Sequence, residues 1–309
     1  MRRLTIVLAF GMTIGLLDVA TPALATYPGA NGKIAFSTDN TDIGGTQQIF
    51  TVNPDGSGET QLTFPKSGHN SAPDWSPDGK KIAFVGDATG EWQIYVMNAN
   101  GSGRQQITFD PGFDHFNPKF SPDGMKITFA GCPFQDTCAI YVMSAGGTGE
   151  TRLTGLVWNS FDPEFSPDGS KIVFDSNKGG FLSAIWVMNA NGTHQHRLTA
   201  PVLEADFPDW SPDGAHIVFT DLCCLFGSNV WVMNADGSGQ KQLTHFPKNH
   251  QGGAASYSPD GKKIVLNADL KYPHNCCGDL YTMNSNGTDL TRIVADRPAV
   301  FFSDWGPSP

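Results

Sequence analysis

Hydrophobic positions along this chain come in short bursts instead of long amphipathic stretches. Runs such as KKIAF, MKITF, SKIVF, AHIVF and KKIVL are followed by QIYVMN, AIYVMS, AIWVMN, NVWVMN and DLYTMN, and then by brief segments such as QQITF, TRLTG, HRLTA and KQLTH. Each burst is rich in β-branched and aromatic residues and is bounded by Gly, Pro, Asn and Asp, the signature of strands joined by tight turns. The tetrapeptide Ser-Pro-Asp-Gly punctuates them, starting at Ser76, Ser121, Ser166, Ser211 and Ser258, with spacings of 45, 45, 45 and 47 residues. An aromatic residue precedes every copy: Trp75, Phe120, Phe165, Trp210 and Tyr257. Four strands per unit of about 45 residues predict one blade of a β-propeller.

Taking each strand type separately gives the blade number. Lys33 to Phe36 and Gln48 to Asn53 supply the second and third strands of a unit that lacks its first, while Phe301 to Pro307 repeats the aromatic-led strand and then stops. The C-terminal strand therefore completes the N-terminal blade. The expected fold is all-β, a six-bladed propeller with four antiparallel strands per blade, closed so that no sheet edge is left open. Composition agrees, since 35 Gly, 21 Pro and only 16% charged residues disfavour a helical protein.

Ahead of the repeats, Arg2 and Arg3, an apolar run from Leu4 to Leu17 and Ala23-Leu24-Ala25 read as a signal peptide over residues 1–25, with a mature propeller over 26–309. Export would place the six cysteines in an oxidising compartment. Cys132 and Cys138 flank one loop and are expected to pair. Cys223, Cys224, Cys276 and Cys277 occupy corresponding loops of consecutive units, either bridging blade to blade or pairing vicinally, with zinc binding as a further alternative. The net charge of −10 argues against nucleic acid and anionic membranes as partners. No segment after the leader is long and apolar enough to span a bilayer.

Trp75-Ser76-Pro77-Asp78-Gly79-Lys80-Lys81-Ile82-Ala83-Phe84, followed by Ile94-Tyr95-Val96-Met97-Asn98 and Asn100-Gly101-Ser102-Gly103, resembles the PD40 (WD40-like) repeat of TolB-type propellers. The resemblance extends over all six units. It implies a periplasmic or secreted, extracytoplasmic module that binds protein partners. The α/β domain that precedes the propeller in TolB is not expected, because few residues separate the leader from the first strand. A peptidase of the prolyl oligopeptidase type, which carries similar repeats, is excluded by the lack of a Gly-x-Ser-x-Gly elbow.

Function should then reside at repeat positions that escape the structural consensus. Ser-Pro-Asp-Gly itself, the methionines Met97, Met143, Met188, Met233 and Met283, and the Asn-Gly-Ser/Thr turns recur at fixed places and read as turns and core. Seven residues before each motif serine stand His69, Asp114, Asn159, Glu204 and Gln251, with His115 and His250 beside them. These seven are the ligand-binding candidates, weighed against ordinary solvated loops; Asp296 or Arg297 would complete the circle. Two residues before the motif, Asp74, Lys119, Glu164, Asp209, Ser256 and Asp304 form a second circle, expected mainly to hydrogen-bond between blades. The leading expectation is a monomeric, non-enzymatic binding or scaffold module using its loop face, with an envelope or extracellular protein, peptide or carbohydrate as partner. No cofactor is expected, and a divalent metal is the open alternative. The rival is a metal-assisted polysaccharide lyase or hydrolase with its site in the funnel, since oligogalacturonate lyases combine similar repeats with a metal held by His and Gln.

Overall fold

A computed structural model describes residues 29–40, 45–133, 137–200, 204–221, 227–270, 278–295 and 299–309. The leader, Asp296, Arg297, Cys223, Cys224, Cys276 and Cys277 lie outside these residues.

Successive hairpins build six four-stranded antiparallel sheets. The first blade comprises β1 (Asn31–Asn40), β2 (Thr46–Val52) and β3 (Thr60–Gln61). The second has β4 (Asn70–Trp75), β5 (Lys81–Gly86), β6 (Gln93–Asn98) and β7 (Gln105–Gln106). The third has β8 (Phe113–Phe120), β9 (Lys126–Pro133), β10 (Ala139–Ser144) and β11 (Thr151–Arg152). The fourth follows as β12 (Ser160–Phe165), β13 (Lys171–Ser176), β14 (Ala184–Asn189) and β15 (His196–Arg197). The fifth is β16 (Ala205–Trp210), β17 (His216–Asp221), β18 (Asn229–Asn234) and β19 (Lys241–Gln242). The sixth is β20 (Gly252–Tyr257), β21 (Lys263–Ala268), β22 (Asp279–Asn284) and β23 (Thr291–Val294). The last strand, β24 (Val300–Pro307), pairs with β1 as the innermost strand of the first blade, so the ring closes as the strand count requires.

The apolar runs are continuous instead of alternating because each sheet is buried on both faces. Ile82 and Phe84 of β5 pack toward the first blade with Ala35 and Ile49, whereas Ala83 and Val85 pack toward the third with Ile127 and Phe129. The same division repeats around the ring: six apolar clusters among the described residues each join two adjacent blades. The five repeat methionines are buried within them.

Turn residues act locally. In each Ser-Pro-Asp-Gly the serine hydroxyl donates to the aspartate two residues on, at 2.6 to 2.7 Å. Asn100, Asn191 and Asn286 accept in the same manner from Ser102, Thr193 and Thr288. Both motifs are therefore turns, as their recurrence implies. Cys132 and Cys138 form a disulfide across the β9–β10 loop.

Candidate functional site

The innermost strands converge on the axis, and the residues two before each motif form a charged ring there. Asp304 accepts the Trp75 amide at 2.8 Å, Asp74 the Phe120 amide at 2.8 Å, and Asp209 the Tyr257 amide at 2.7 Å. Each carboxylate thus hydrogen-bonds the next blade. Lys119 is the cation at the centre, 3.2 Å from Asp74, 3.2 Å from Glu164 and 3.9 Å from Asp304. Burial pushes Asp74 and Asp209 up to about 7 despite the opposing pull of Lys119. Burial works against the charge of the lysine, yet the combined pull of Glu164, Asp74, Asp304 and Asp209 holds it well above its ordinary range. The interior charge is therefore used to fasten blades together.

Above this ring every inner strand carries a β-bulge. The register slips between Ser71 and Asp74, Phe116 and Lys119, Phe161 and Glu164, Asp206 and Asp209, and Gly253 and Ser256. At each slip a residue other than glycine adopts positive φ: Ala72 at 51°, Asn117 at 50°, Asp162 at 48°, Phe207 at 53° and Ala254 at 46°. In these five blades the strained conformation aims one side chain at the axis. These residues line a cavity of about 60 Å³ together with Phe302. Phe207 meets Phe302 edge to face with ring centroids 5.8 Å apart, and the Asn117 amide donates to Asp162. Asp162 is pushed up to about 7 by burial, and Asp206 to about 6, again chiefly by burial with Glu204 adding to it. The channel is thereby narrowed by an aromatic pair on one side and an acid–amide group on the other.

The candidate residues stand along the loop rim with the following partners. His69 Nδ1 accepts the Gln47 amide at 3.2 Å, Asp114 the Trp92 amide at 2.9 Å, and Asn159 the Cys138 amide at 3.0 Å. In these three blades the variable polar residue caps an amide within one residue of the start of the preceding blade's third strand. His250 Nδ1 lies 2.9 Å from the Asp269 carbonyl, and the Gln251 amide donates to the Asp269 carboxylate. Glu204 stands just before β16. His115 is fully buried between the rings of Phe113 and Phe129, at centroid distances of 5.1 and 5.2 Å, and burial holds it below the ordinary histidine range.

Two faces remain for larger ligands. A groove of about 1030 Å³ crosses the Ser-Pro-Asp-Gly face of blades four to six, with Trp210 and Tyr257 in its floor and Lys171, His216, Lys241 and Asp213 along it. On the loop face, Val157 and Trp158 before β12 and Phe181 and Leu182 before β14 are exposed apolar side chains of one blade. Their loops run together, the Asn177 amide donating to the Asn159 carbonyl at 3.2 Å. Sequence reasoning overlooked both the bulge ring and this apolar patch. The available signal for the bulges was Pro73, Pro118, Pro163 and Pro208, one residue after the strained position, where a missing amide is tolerated.

With this architecture in place, relatives can be compared. The family model of the TolB beta propeller domain matches residues 13–131 and 113–307. The fold is similar to the crystal structure of TolB from Acinetobacter baumannii, with TM-score 0.75 and 24% identity over 91% of this chain and 68% of that one. It is also similar to putative TolB from Agrobacterium tumefaciens, with TM-score 0.63 and 20% identity over 89% of this chain and 91% of that one. An oligogalacturonate lyase from Vibrio parahaemolyticus matches at TM-score 0.56 and 15% identity, over 88% of this chain and 78% of that one. Likeness at these identities concerns the fold. No curated protein sequence matches the chain. The family model, which spans nearly the whole propeller, and the six closed blades together establish that the chain belongs to the TolB β-propeller family.

Proposed function

We propose that this chain is an extracytoplasmic protein-binding scaffold that engages its partner through the loop face. The observation that carries the reading is the exposed apolar patch of Val157, Trp158, Phe181 and Leu182, because contiguous exposed apolar side chains rimmed by polar loops mark interaction sites. Rim residues Asp114, Asn159 and Glu204 would frame the contact, while the narrowed channel favours a surface partner over a ligand threaded along the axis. The TolB likeness supports a protein partner at the level of fold analogy. Cleavage after Ala25 and export belong to the same reading, and the Cys132–Cys138 bond supports them because such bonds persist in oxidising compartments. No helix among the described residues is long and apolar enough to cross a membrane.

The lyase alternative has less behind it. Among the described residues neither His69 nor His250 belongs to a group of three His, Cys, Asp or Glu donors close enough to share a metal. The decisive experiment places a photo-crosslinker at Phe181 and, in a second protein, at Lys241 on the opposite face, in cells expressing the full chain. One saturable protein adduct at Phe181, absent at Lys241 and lost in Trp158→Ala, is expected, together with a mature N-terminus at Thr26. Adducts only at Lys241 would move the interface to the turn-face groove. Absence of a protein adduct at either site, alongside saturable oligosaccharide binding, would overturn the protein-binding reading.

A further inference from the structure

His115 is unlike the other rim histidines. It has no solvent exposure, and neither ring nitrogen makes a hydrogen bond of normal geometry among the described residues, although backbone groups of Trp92 and Phe113 lie close to it. Buried polar groups are ordinarily satisfied by well-aligned hydrogen bonds, so a fully buried imidazole without one calls for an explanation. Its Nε2 points at the Asp110 carboxylate, 3.7 Å away. Glu150 completes a triangle in which one donor atom from each of the three residues lies within 4.8 Å of the others. Asp110 belongs to the β7–β8 connection, His115 to β8, and Glu150 immediately precedes β11, so three separate segments meet.

The imidazole is held rigidly. Phe113 and Phe129 flank it, and Phe113 stands edge to face on Tyr141 at 5.6 Å. This cage needs glycine opposite His115 in the register: a Cβ on Gly131 would lie 2.5 Å from the Phe113 ring and 2.9 Å from Tyr141. The third blade also differs from its neighbours in charge. At the repeat position of Glu150 the second blade has Arg104, whose guanidinium lies 4.1 Å from the Tyr95 ring centroid and reaches toward the Ser67 carbonyl. In the fourth blade Lys178 lies over Trp186 at 5.0 Å and bonds Gln195, the residue at that same position. Where these blades supply their own cation, the third presents two carboxylates and an imidazole, with Arg152 drawn to the Tyr141 hydroxyl.

We propose that Asp110, His115 and Glu150 form a binding site for a divalent transition-metal ion of the zinc type, which ties the connection between blades two and three to both edges of the third blade. One borderline nitrogen and two hard oxygens suit such ions. Ligand bonds of about 2.1 Å require donor atoms about 3.4 Å apart in a tetrahedral set. Asp110 and Glu150 are exposed and can make that small closure, whereas the caged His115 stays fixed. Three protein donors leave a coordination position for water, and the site does not depend on the loop-face partner.

The test uses the mature chain stripped with chelator and titrated with Zn²⁺ by calorimetry, with Co²⁺ absorption reporting nitrogen ligation. One equivalent is expected to bind, raising the unfolding midpoint by about 5 °C at a hundredfold excess over Kd. Asp110→Asn and Glu150→Gln should each weaken Zn²⁺ by about tenfold or more while leaving the metal-free midpoint unchanged. These surface changes keep the test decisive if His115→Ala fails to fold. Zn²⁺ binding that survives both variants, or that disappears only when the exposed His194 and His196 are replaced, would overturn the assignment. So would the absence of saturable binding, or binding of Ca²⁺ with none of Zn²⁺.

Discussion

At the scale of the residue, conformation and contact separate cleanly in the β10–β11 turn. Gly147 and Gly149 both have positive φ, 83° and 71°, but a Cβ on Gly147 would sit 2.2 Å from the Ile107 carbonyl oxygen, whereas one on Gly149 meets nothing within 4 Å. Gly149→Ala should cost about 1 kcal/mol, the usual expense of a left-handed alanine. Gly147→Ala should cost at least about 2 kcal/mol more, because the turn packs against the backbone of the second blade and must move. Urea denaturation of the two variants measures the difference; equal losses would refute it. Sequence showed the glycines and their turns. It could not show which turn touches a neighbouring blade, since Ile107 is 40 residues away from Gly147 in the chain.

At the scale of the element, the recurring Leu-Thr or Ile-Thr after each short outer strand acquires a reason. Thr63, Thr108, Thr154, Thr199 and Thr244 accept the amides of Ile49, Ile94, Ile140, Ile185 and Val230 at 2.8 to 3.0 Å. Each hydroxyl finishes a ladder that the two-residue outer strand leaves incomplete. The sixth blade carries Val294 there and instead extends β23 to pair Leu280 with Val294. Thr108→Val leaves the buried Ile94 amide without its acceptor and should destabilise by about 1 to 3 kcal/mol, read by thermal unfolding. A loss below about 0.3 kcal/mol would mean that the outer strand closes its own ladder. Strand type and order were legible at this scale because apolar runs and turn residues are local signals. The bulges were not, because a strand's slip is defined only against the partner it pairs with.

For the whole molecule, the closed ring gathers acids from four of its six inner strands, and that sets a pH dependence. Asp74, Asp162 and Asp209 are pushed up to about 7 and Asp206 to about 6, so between about pH 4 and 7 the folded chain binds protons that the unfolded chain releases. Their contribution to stability is therefore fullest at the acidic end and is lost as pH rises through that window. The turn aspartates act oppositely: Asp123, held down by the Ser121 hydroxyl and the Met125 amide, loses its contribution as pH falls below about 4. The unfolding midpoint should fall from pH 5 to pH 8, more gently in Asp162→Asn. Lys119→Met should steepen the fall and cost about 3 kcal/mol or more at pH 8, since the carboxylates then lack their central cation. A flat profile in the unmodified chain would show that these acids ionise freely. Repeat spacing, strand count and the closing C-terminal strand were determined by the sequence alone, because each blade is written in contiguous residues and the pattern is periodic. Which polar residues are spent on neighbouring backbone, as His69, Asp114 and Asn159 are, and which meet between the two edges of one blade, as Asp110, His115 and Glu150 do, was decided only by the tertiary structure. Those relations join residues whose separation in the chain carries no periodic signal, and only the pairing of strands within a blade and the packing of one blade on the next bring them close.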